Sequence, residues 1–547
     1  MISKGSFISE AFSRFYPLKR LQQVIYLLFI LLMQCTNAAA QIFPAENSSL
    51  NYRLAGFSFP PIAGVNVYTV EVAVGNYNAD STFQKNIYKR LPSSENRIIV
   101  ELPSFGREYT WRTAGSSKGK ISTGKLHHFN VAIADEVDTN VTRLVVLKAA
   151  ETYKDAHVLL DGSIALYNMD GNPLWYLPLT GKLARNKNKI MDLKLTPQGT
   201  ITFLMGQKIF EVDYNGKLLW EGPDNDKNGK DTSAHYHHEF TRLRNGNYMV
   251  LGNEFITMKV PQYKAATGEK LKTADTSSKN VAAFGTIVEY DPAGKIVWSW
   301  RSAEYFKTVP AEFLKSDLYD PLAPQGTEDV HENAFYFDEK ERVIYVSFKN
   351  ISTILKVKYP EGNVTDAYGK LATLTKSGNT SQPFCGQHSC KLTTDGKLYL
   401  YNNNTCHKGE LPQILMFDEP ETAADTLKLV WAYTCNFDDV IARKQYEQAG
   451  GEKVTLPAAT TLSAYSVFSK GSNLIKLPNH SIFANICGPY GKTFILSPEK
   501  NIQWSALLET WNPYQKKWDD VIYYKANIIT DPNDLSRLIW KSQGNVR

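Results

Sequence analysis

GTIVEYDPAGKIVW, residues 285–298, alternates apolar and polar side chains on either side of Asp-Pro-Ala-Gly. Period-2 alternation interrupted by a Pro/Gly turn reads as a β-hairpin. The pattern recurs along the chain. GSIALYNMDGNPLW ends at Trp175 and GQKIFEVDYNGKLLW at Trp220. PQILMFDEPETAADTLKLVW ends at Trp431 and GKTFILSPEKNIQW at Trp504, while STILKVKYPEG, from Ser352, lacks the tryptophan. A second hairpin precedes five of the six copies: LKLTPQGTITFL, FTRLRNGNYMVL, AFYFDEKERVIYVSF, KLTTDGKLYLY and NLIKLPNHSIFAN. Two hairpins make a four-stranded blade, and six such units imply a six-bladed β-propeller. The spacing from Trp175 to Trp220 is 45 residues and from Trp220 to Trp298 is 78. Such irregularity suits blades with long insertions, the largest over 258–283, better than a β-solenoid with short, even periods. The first copy has no clear inner hairpin. Its partner strands are expected from VTRLVVLKAA and HVLL, or from the other end of the chain.

The fold class is therefore all-β, with a small β-sandwich-like domain ahead of the propeller. That domain spans 41–130, where VNVYTVEVAV, RIIVELP and REYTWRTAG alternate as short strands. The polar stretch ADEVDTN, 134–140, marks the boundary, and the propeller takes 131–547. Residues 1–40 read as a secretory signal. Lys19 and Arg20 precede the apolar run VIYLLFILLM, and Ala38 and Ala40 supply small cleavage-site residues. The run is too short for a comfortable membrane span, which takes ~20 residues. A mature start near Gln41 and a periplasmic or secreted protein follow. The rival reading, a lipoprotein acylated at Cys35, meets Gln34 where a small residue is usual. The formal charge of +6 falls to about +3 once residues 1–40 are removed, which gives no case for nucleic acid or an anionic membrane. Beyond Ala40 lie Cys385, Cys390, Cys406, Cys435 and Cys487, an odd number that leaves at least one unpaired. An oxidising compartment favours disulfides among them, and their spacing lacks the paired C-x-x-C of a zinc site.

Three histidines stand at the starts of inner hairpins. His388 lies eight residues before Gly396, His238 eight before Gly246, and His331 takes the corresponding place before the DEKE turn at 338–341. In a propeller the first strand of each blade lines the central channel, so equivalent starts converge at one mouth. A lone strand histidine is usually a surface or satisfied core residue, but three at one structural position call for a function. Centring the third turn near Lys340 sets Lys349 opposite His331, with Cβ atoms roughly 4.5–5.5 Å apart. Asn333 shares the strand face of His331 by alternation. His127 and His128 sit near the domain boundary, and His157, His407 and His480 look like turn or surface residues. His235 and His237 precede His238, and His237 joins Asn333 as a substrate-binding candidate. Three histidines with an open position suit a metal. A nearby lysine disfavours a bound cation and suits an anion instead. A neutral imidazole, with a reference pKa of ~6.5, can also attack such a group as a nucleophile. No P-loop pattern is present, and neither metal nor other cofactor is expected.

HHEFTRLRNGNYMVLGNE (237–254), DVHENAFYFDEKERVIYVSFKNISTILKV (329–357) and GQHSCKLTTDGKLYLYNNN (386–404) together resemble bacterial aryl-sulfate sulfotransferases. SKGSNLIKLPNHSIFANICG (469–488) is a weaker match, with His480 where the family usually has glycine. The resemblance implies a periplasmic enzyme that moves a sulfuryl group from a phenolic sulfate ester to a phenol by ping-pong, with no nucleotide sulfate donor. Its nucleophile maps to His388, and its other site histidines to His238 and His331. Asn333 falls on the asparagine beside the sulfuryl group. His331, Lys349 and Asn333 would hold the sulfuryl oxygens while His238 serves as acid and base. A disulfide near the site and a possible homodimer are implied as well. Two residues depart from the family: Lys349 replaces an arginine, losing its planar fork, and Glu239 stands where aspartate is common. A binding propeller without turnover and a metal-dependent hydrolase using the three histidines are the alternatives.

Overall fold

The computed structural model describes residues 42–117, 120–185, 188–223, 236–257, 281–317, 329–375, 382–406, 410–422, 425–448, 471–488 and 490–543. The signal reading of residues 1–40, Cys35, most of the insertion at 258–283, His235 and His407 lie outside them. Contacts divide the chain into two compact units. The first comprises residues up to Ser49, Ala55–Val100 and Arg107–Asn130. The second comprises Leu50–Leu54, Glu101–Gly106 and Val131–Arg547.

In the first unit, Ser48–Leu50, His127–Val131, Arg107–Ser117, Tyr68–Val74 and Ile87–Ser93 run side by side in one sheet. Lys120–Thr123 adds to Arg107–Ser117, and Leu54–Ser58 pairs separately with Arg97–Glu101. Phe57 on the small sheet meets Trp111 and Phe129 on the large one edge-on, at 5.1 and 5.9 Å between ring centroids. Two sheets closing over aromatic side chains make the sandwich-like arrangement that the alternating sequence predicts.

The second unit is a ring of six antiparallel sheets. Blades two to five each run inner to outer in chain order, as in His388–Leu392, Leu398–Asn402, Gln413–Asp418 and Lys428–Thr434 of blade five. The other inner strands of these four are Ile190–Leu195, His237–Arg242 and Glu332–Asp338. Blade six begins at Asn473–Lys476. Blade one is completed across the chain's length: its inner strand is Ala526–Ile529, which pairs with His157–Leu160. The question over the first copy is thus resolved. HVLL is its second strand and the C-terminal end supplies the first. VTRLVVLKAA goes elsewhere, since Thr142–Lys148 pairs with Ile502–Asn512 of blade six. Each inner strand contacts the next, and Asn473–Lys476 meets Ala526–Ile529 to close the ring.

The recurrent tryptophan has a physical role. In every outer hairpin a register shift falls just before the turn. In five of them the tryptophan pairs on the near side of that shift, and in blade four Asp366 takes its place. From there the Trp175 indole N–H donates to Tyr214 O of the next blade (2.6 Å), Trp298 to Pro360 O (2.7 Å) and Trp431 to Pro498 O (3.0 Å). Trp504 of blade six donates to Met169 O of blade one (2.8 Å), across the closure. Trp220 instead stacks on Tyr248 of the following blade, with ring centroids 3.8 Å apart. Apolar side chains fill the spaces between blades: Leu251, Ile287 and Trp300 of blade three pack with Val346, Phe348 and Leu355 of blade four. Among the described residues no helix is long and apolar enough to cross a membrane.

Candidate functional site

The inner strands open with a backbone irregularity. Asp192, His238, His331 and Ser389 all have left-handed φ, at 57°, 60°, 54° and 54°. The pairing with the second strand slips beside each of them. A bulge re-aims a side chain that a straight strand would bury against its neighbour blade. This refines the equal counting back from Gly246 and Gly396. His237 and His388 are the residues that pair with the second strand, with Leu251 and Tyr401, whereas His238 sits on the bulge itself. Two extra residues on one strand and one on the other undo the equal count.

The histidines still converge. The rings of His238 and His331 lie 5.0 Å apart and nearly perpendicular, at 84°. His388 is 2 % exposed, and its Nδ1 lies 2.6 Å from Asn403 Oδ1. An amide oxygen only accepts, so this contact keeps the proton on Nδ1 and leaves the lone pair on Nε2. His388 is held well below the ordinary imidazole range by burial first, then by the Lys349 cation, with His331 and Lys525 acting in the same direction. His238 is likewise held well below that range by burial, then by His237, His331, His388 and Lys525. Its Nδ1 faces Nδ1 of His237 at 2.6 Å, so one ring donates and the other accepts. Burial and then the neighbouring His331 push His237 down to about 4.

His331 is more open than His388, with a side chain 30 % exposed. Its Nδ1 and backbone N–H both bond the Asp329 carboxylate, at 3.0 and 2.6 Å. Burial acts to raise Asp329, but the His331 hydrogen bond and charge outweigh it and hold the carboxyl below its usual range. Lys349 stands opposite His331 as the turn count predicts, its N–H donating to His331 O at 2.9 Å. Asn333 is the extra residue of its bulge, between Glu332 and Ala334. Alternation from His331 therefore does not fix its direction. Its Nδ2 donates to Gln387 O (2.7 Å), one residue ahead of His388, while buried Oδ1 has no partner among the described residues.

Several contributors are not in the sequence reading. Asp329 had a signal, a carboxylate two residues before His331. Asn403 had one too, because counting across the Gly396 turn brings 402–404 alongside His388. Lys525 and Tyr524 had none: they belong to no repeat and arrive with the closing strand. The Tyr524 ring lies 5.7 Å from that of His238. The cysteine pairing, open in the sequence, is Cys385–Cys406, which brackets both His388 and Asn403. Cys390, Cys435 and Cys487 are buried thiols. Among the described residues no group of three or more His, Cys, Asp or Glu side chains is disposed to hold a metal ion.

A buried imidazole with a fixed tautomer, a cation beside it and two further histidines at one mouth suit transfer of an anionic group. The sequence profile of the arylsulfotransferase (ASST) family matches residues 142–464, more than half of the chain. The protein belongs to that family and is, as membership implies, an aryl-sulfate sulfotransferase. No curated protein sequence matches it. Among solved structures, a protein of unknown function from Bacteroides caccae is 12 % identical, with 72 % of this chain and 100 % of that one covered at a TM-score of 0.35. A luciferin-regenerating enzyme is 6 % identical, covering 72 % and 97 % at 0.31. The dihydro-heme d1 dehydrogenase NirN is 11 % identical, covering 72 % and 82 % at 0.24. Likeness at this level carries nothing further, and the fold rests on the strand order above.

Proposed function

We propose that the protein transfers a sulfuryl group from a phenolic sulfate ester to a phenol by ping-pong, through a sulfohistidine at His388 and without a nucleotide sulfate. The observation that carries this reading is the His388–Asn403 contact at 2.6 Å, which presents a neutral Nε2 lone pair. The anionic charge of the bound sulfate ester offsets the cations around His238 and lets that ring enter as imidazolium. In the first half-reaction Nε2 of His388 attacks sulfur, the S–O bond to the aryl group breaks, and the leaving phenolate takes the proton from His238, which ends neutral. In the second, an acceptor phenol gives its proton to His238, its oxygen attacks sulfur, and the N–S bond breaks. Lys349, His331 and Asn333 face the sulfuryl oxygens, whose charge a fixed cation stabilises more strongly in a water-poor site. A lysine does this as a point charge, without the planar fork of arginine. His237 sets the tautomer of His238 through the Nδ1 contact.

Export, with cleavage near Ala40, fits the reading, since disulfides such as Cys385–Cys406 persist in oxidising compartments. The propeller from 131 onward is the catalytic domain on this reading, and a homodimer is the candidate assembly. The test is intact-protein mass after brief mixing with an aryl sulfate and no acceptor, for wild type and His388→Ala. A gain of about 80 Da, one sulfuryl group, in wild type alone is expected. Absence of the adduct in wild type across several donors, with folded protein, would overturn the proposal.

A further inference from the structure

Lys525 immediately precedes the inner strand of blade one and is 4 % exposed. Its Nζ donates to Asp192 Oδ1 of blade two at 3.0 Å, Glu239 Oε2 of blade three at 2.5 Å, and the carbonyl oxygen of His238 at 3.0 Å. An ammonium has three N–H donors, and all three are engaged. Lys194 bonds the same two carboxylates, at 2.8 Å to Asp192 and 2.7 Å to Glu239, and the buried Lys391 lies near enough to act on both. Asp161 completes the lattice. It accepts the backbone N–H groups of Tyr524, Lys525 and Asp192 at 3.0, 2.9 and 3.1 Å. A buried ion cluster of this kind is often no more than structural, and replacing one by apolar packing can be neutral. The third acceptor sets Lys525 apart. It is the carbonyl of the left-handed residue that presents the His238 imidazole.

We infer that Lys525 is a positioning residue of the sulfuryl-transfer site: it fixes the bulge that aims His238 and holds a positive charge behind that ring. Closure of the propeller by its C-terminal strand and orientation of the acid–base histidine are then one event. This inference rests on the role given to His238 above. His238 is faced by His237, His331, His388, Lys525 and the Tyr524 ring. Glu239 follows it in the chain, and Asp192 lies across the lysine. Removing the Lys525 cation leaves Glu239 and Asp192 to Lys194 and the buried Lys391. His238 then takes up a proton at higher pH. Removing the Glu239 charge instead moves it to lower pH.

The test uses the full chain as Lys525→Met, Lys525→Arg and Glu239→Gln. Its readouts are kcat, KM and pH profiles for aryl sulfates with good and poor leaving phenols, alongside the His388 adduct. Lys525→Met should lower kcat/KM for the donor, which reports the first half-reaction alone, about tenfold or more with poor leaving groups and less than about threefold with nitrophenyl sulfate, where proton donation matters little. KM should stay within about threefold, since ground-state binding is untouched. The His238 limb should move to higher pH in Lys525→Met and to lower pH in Glu239→Gln, and Lys525→Arg should recover most of the rate. An equal loss with every leaving group and an unmoved pH limb would reduce Lys525 to a structural cation and overturn the inference. Should Lys525→Met not fold, the sign of the shift in Glu239→Gln decides. A wild type that forms no adduct on His388 defeats the underlying reading. A wild type that forms it, with Lys525→Met kinetically unchanged, defeats only the inference about Lys525.

Discussion

Each blade carries two hairpins, and the two obey different rules. The outer hairpins are alike: the same slip before the turn in all six, a tryptophan at the same place in five, and in four of these an indole N–H bonded to the next blade's turn. The inner strands share a left-handed entrance in five blades, yet the side chains there are of three kinds: Asp192, the histidines His238 and His331, and the serines Ser389 and Ser472. Repetition belongs to the part that holds neighbouring blades together, because every interface poses the same packing problem. Divergence belongs to the part facing the axis, because a single site needs different groups from different directions.

If that division holds, changes at the inner entrances should remove activity and spare stability, and changes at the outer hairpins should do the reverse. His388→Ala should lower turnover by on the order of 10⁴-fold or more, as loss of a covalent nucleophile does, with an unchanged melting temperature. Lys349→Met should lower kcat/KM about 10²-fold through lost charge stabilisation, read from steady-state kinetics. Its pH profile has a definite sign. The Lys349 cation helps to hold His388 below the ordinary range, so its removal raises that group. The acidic limb of kcat/KM, where His388 becomes protonated and cannot attack, should move to higher pH.

The disulfide sharpens the contrast because it stands on the border. Cys385 and Cys406, 21 residues apart, close the hairpin whose two ends hold His388 and Asn403. Cys385→Ser should cost ~3 kcal/mol of stability, measured by denaturant unfolding, from the released loop entropy. It should also lower kcat by loosening the 2.6 Å contact. The smallest effects are expected at the tryptophans. Trp504→Phe, at a fully buried indole bonded across the ring closure, should cost about 2 kcal/mol. Trp298→Phe, bonded to Pro360 O but more exposed, should cost about 1 kcal/mol. Both should retain wild-type kinetics below their melting temperatures. A tryptophan variant that kept its stability and lost its activity would break the division.

The legible parts of the fold are those where one residue type recurs for one physical reason. Alternation and turn residues reveal hairpins, and repetition reveals blades. Lys349 meets His331 because two displacements cancel: the register beside the turn, from Asp338 with Val343 to Ala334 with Ser347, would set His331 opposite Asn350, and the slip at Asn333 brings Lys349 there instead. The equivalence of His238 and His388 is legible only approximately. A left-handed residue adds to the strand without leaving a mark in the alternation. Asn333 illustrates the same limit, since a bulge cancels the rule that residues two apart share a face.

By itself the sequence determined that the chain folds as six blades of paired hairpins behind a small β-domain, and that histidines gather at one end of the inner strands. Period-2 patterning and turn chemistry act over a few residues, so they can be read from a few residues. Only the tertiary structure decided that Ala526–Ile529 closes the ring, that Asn403 orients His388, and that Lys525 reaches the His238 carbonyl. Lys525 is separated from His238 by 287 residues. No local pattern encodes a contact between groups so far apart in the chain, and they meet only because the propeller returns its last strand to its first blade.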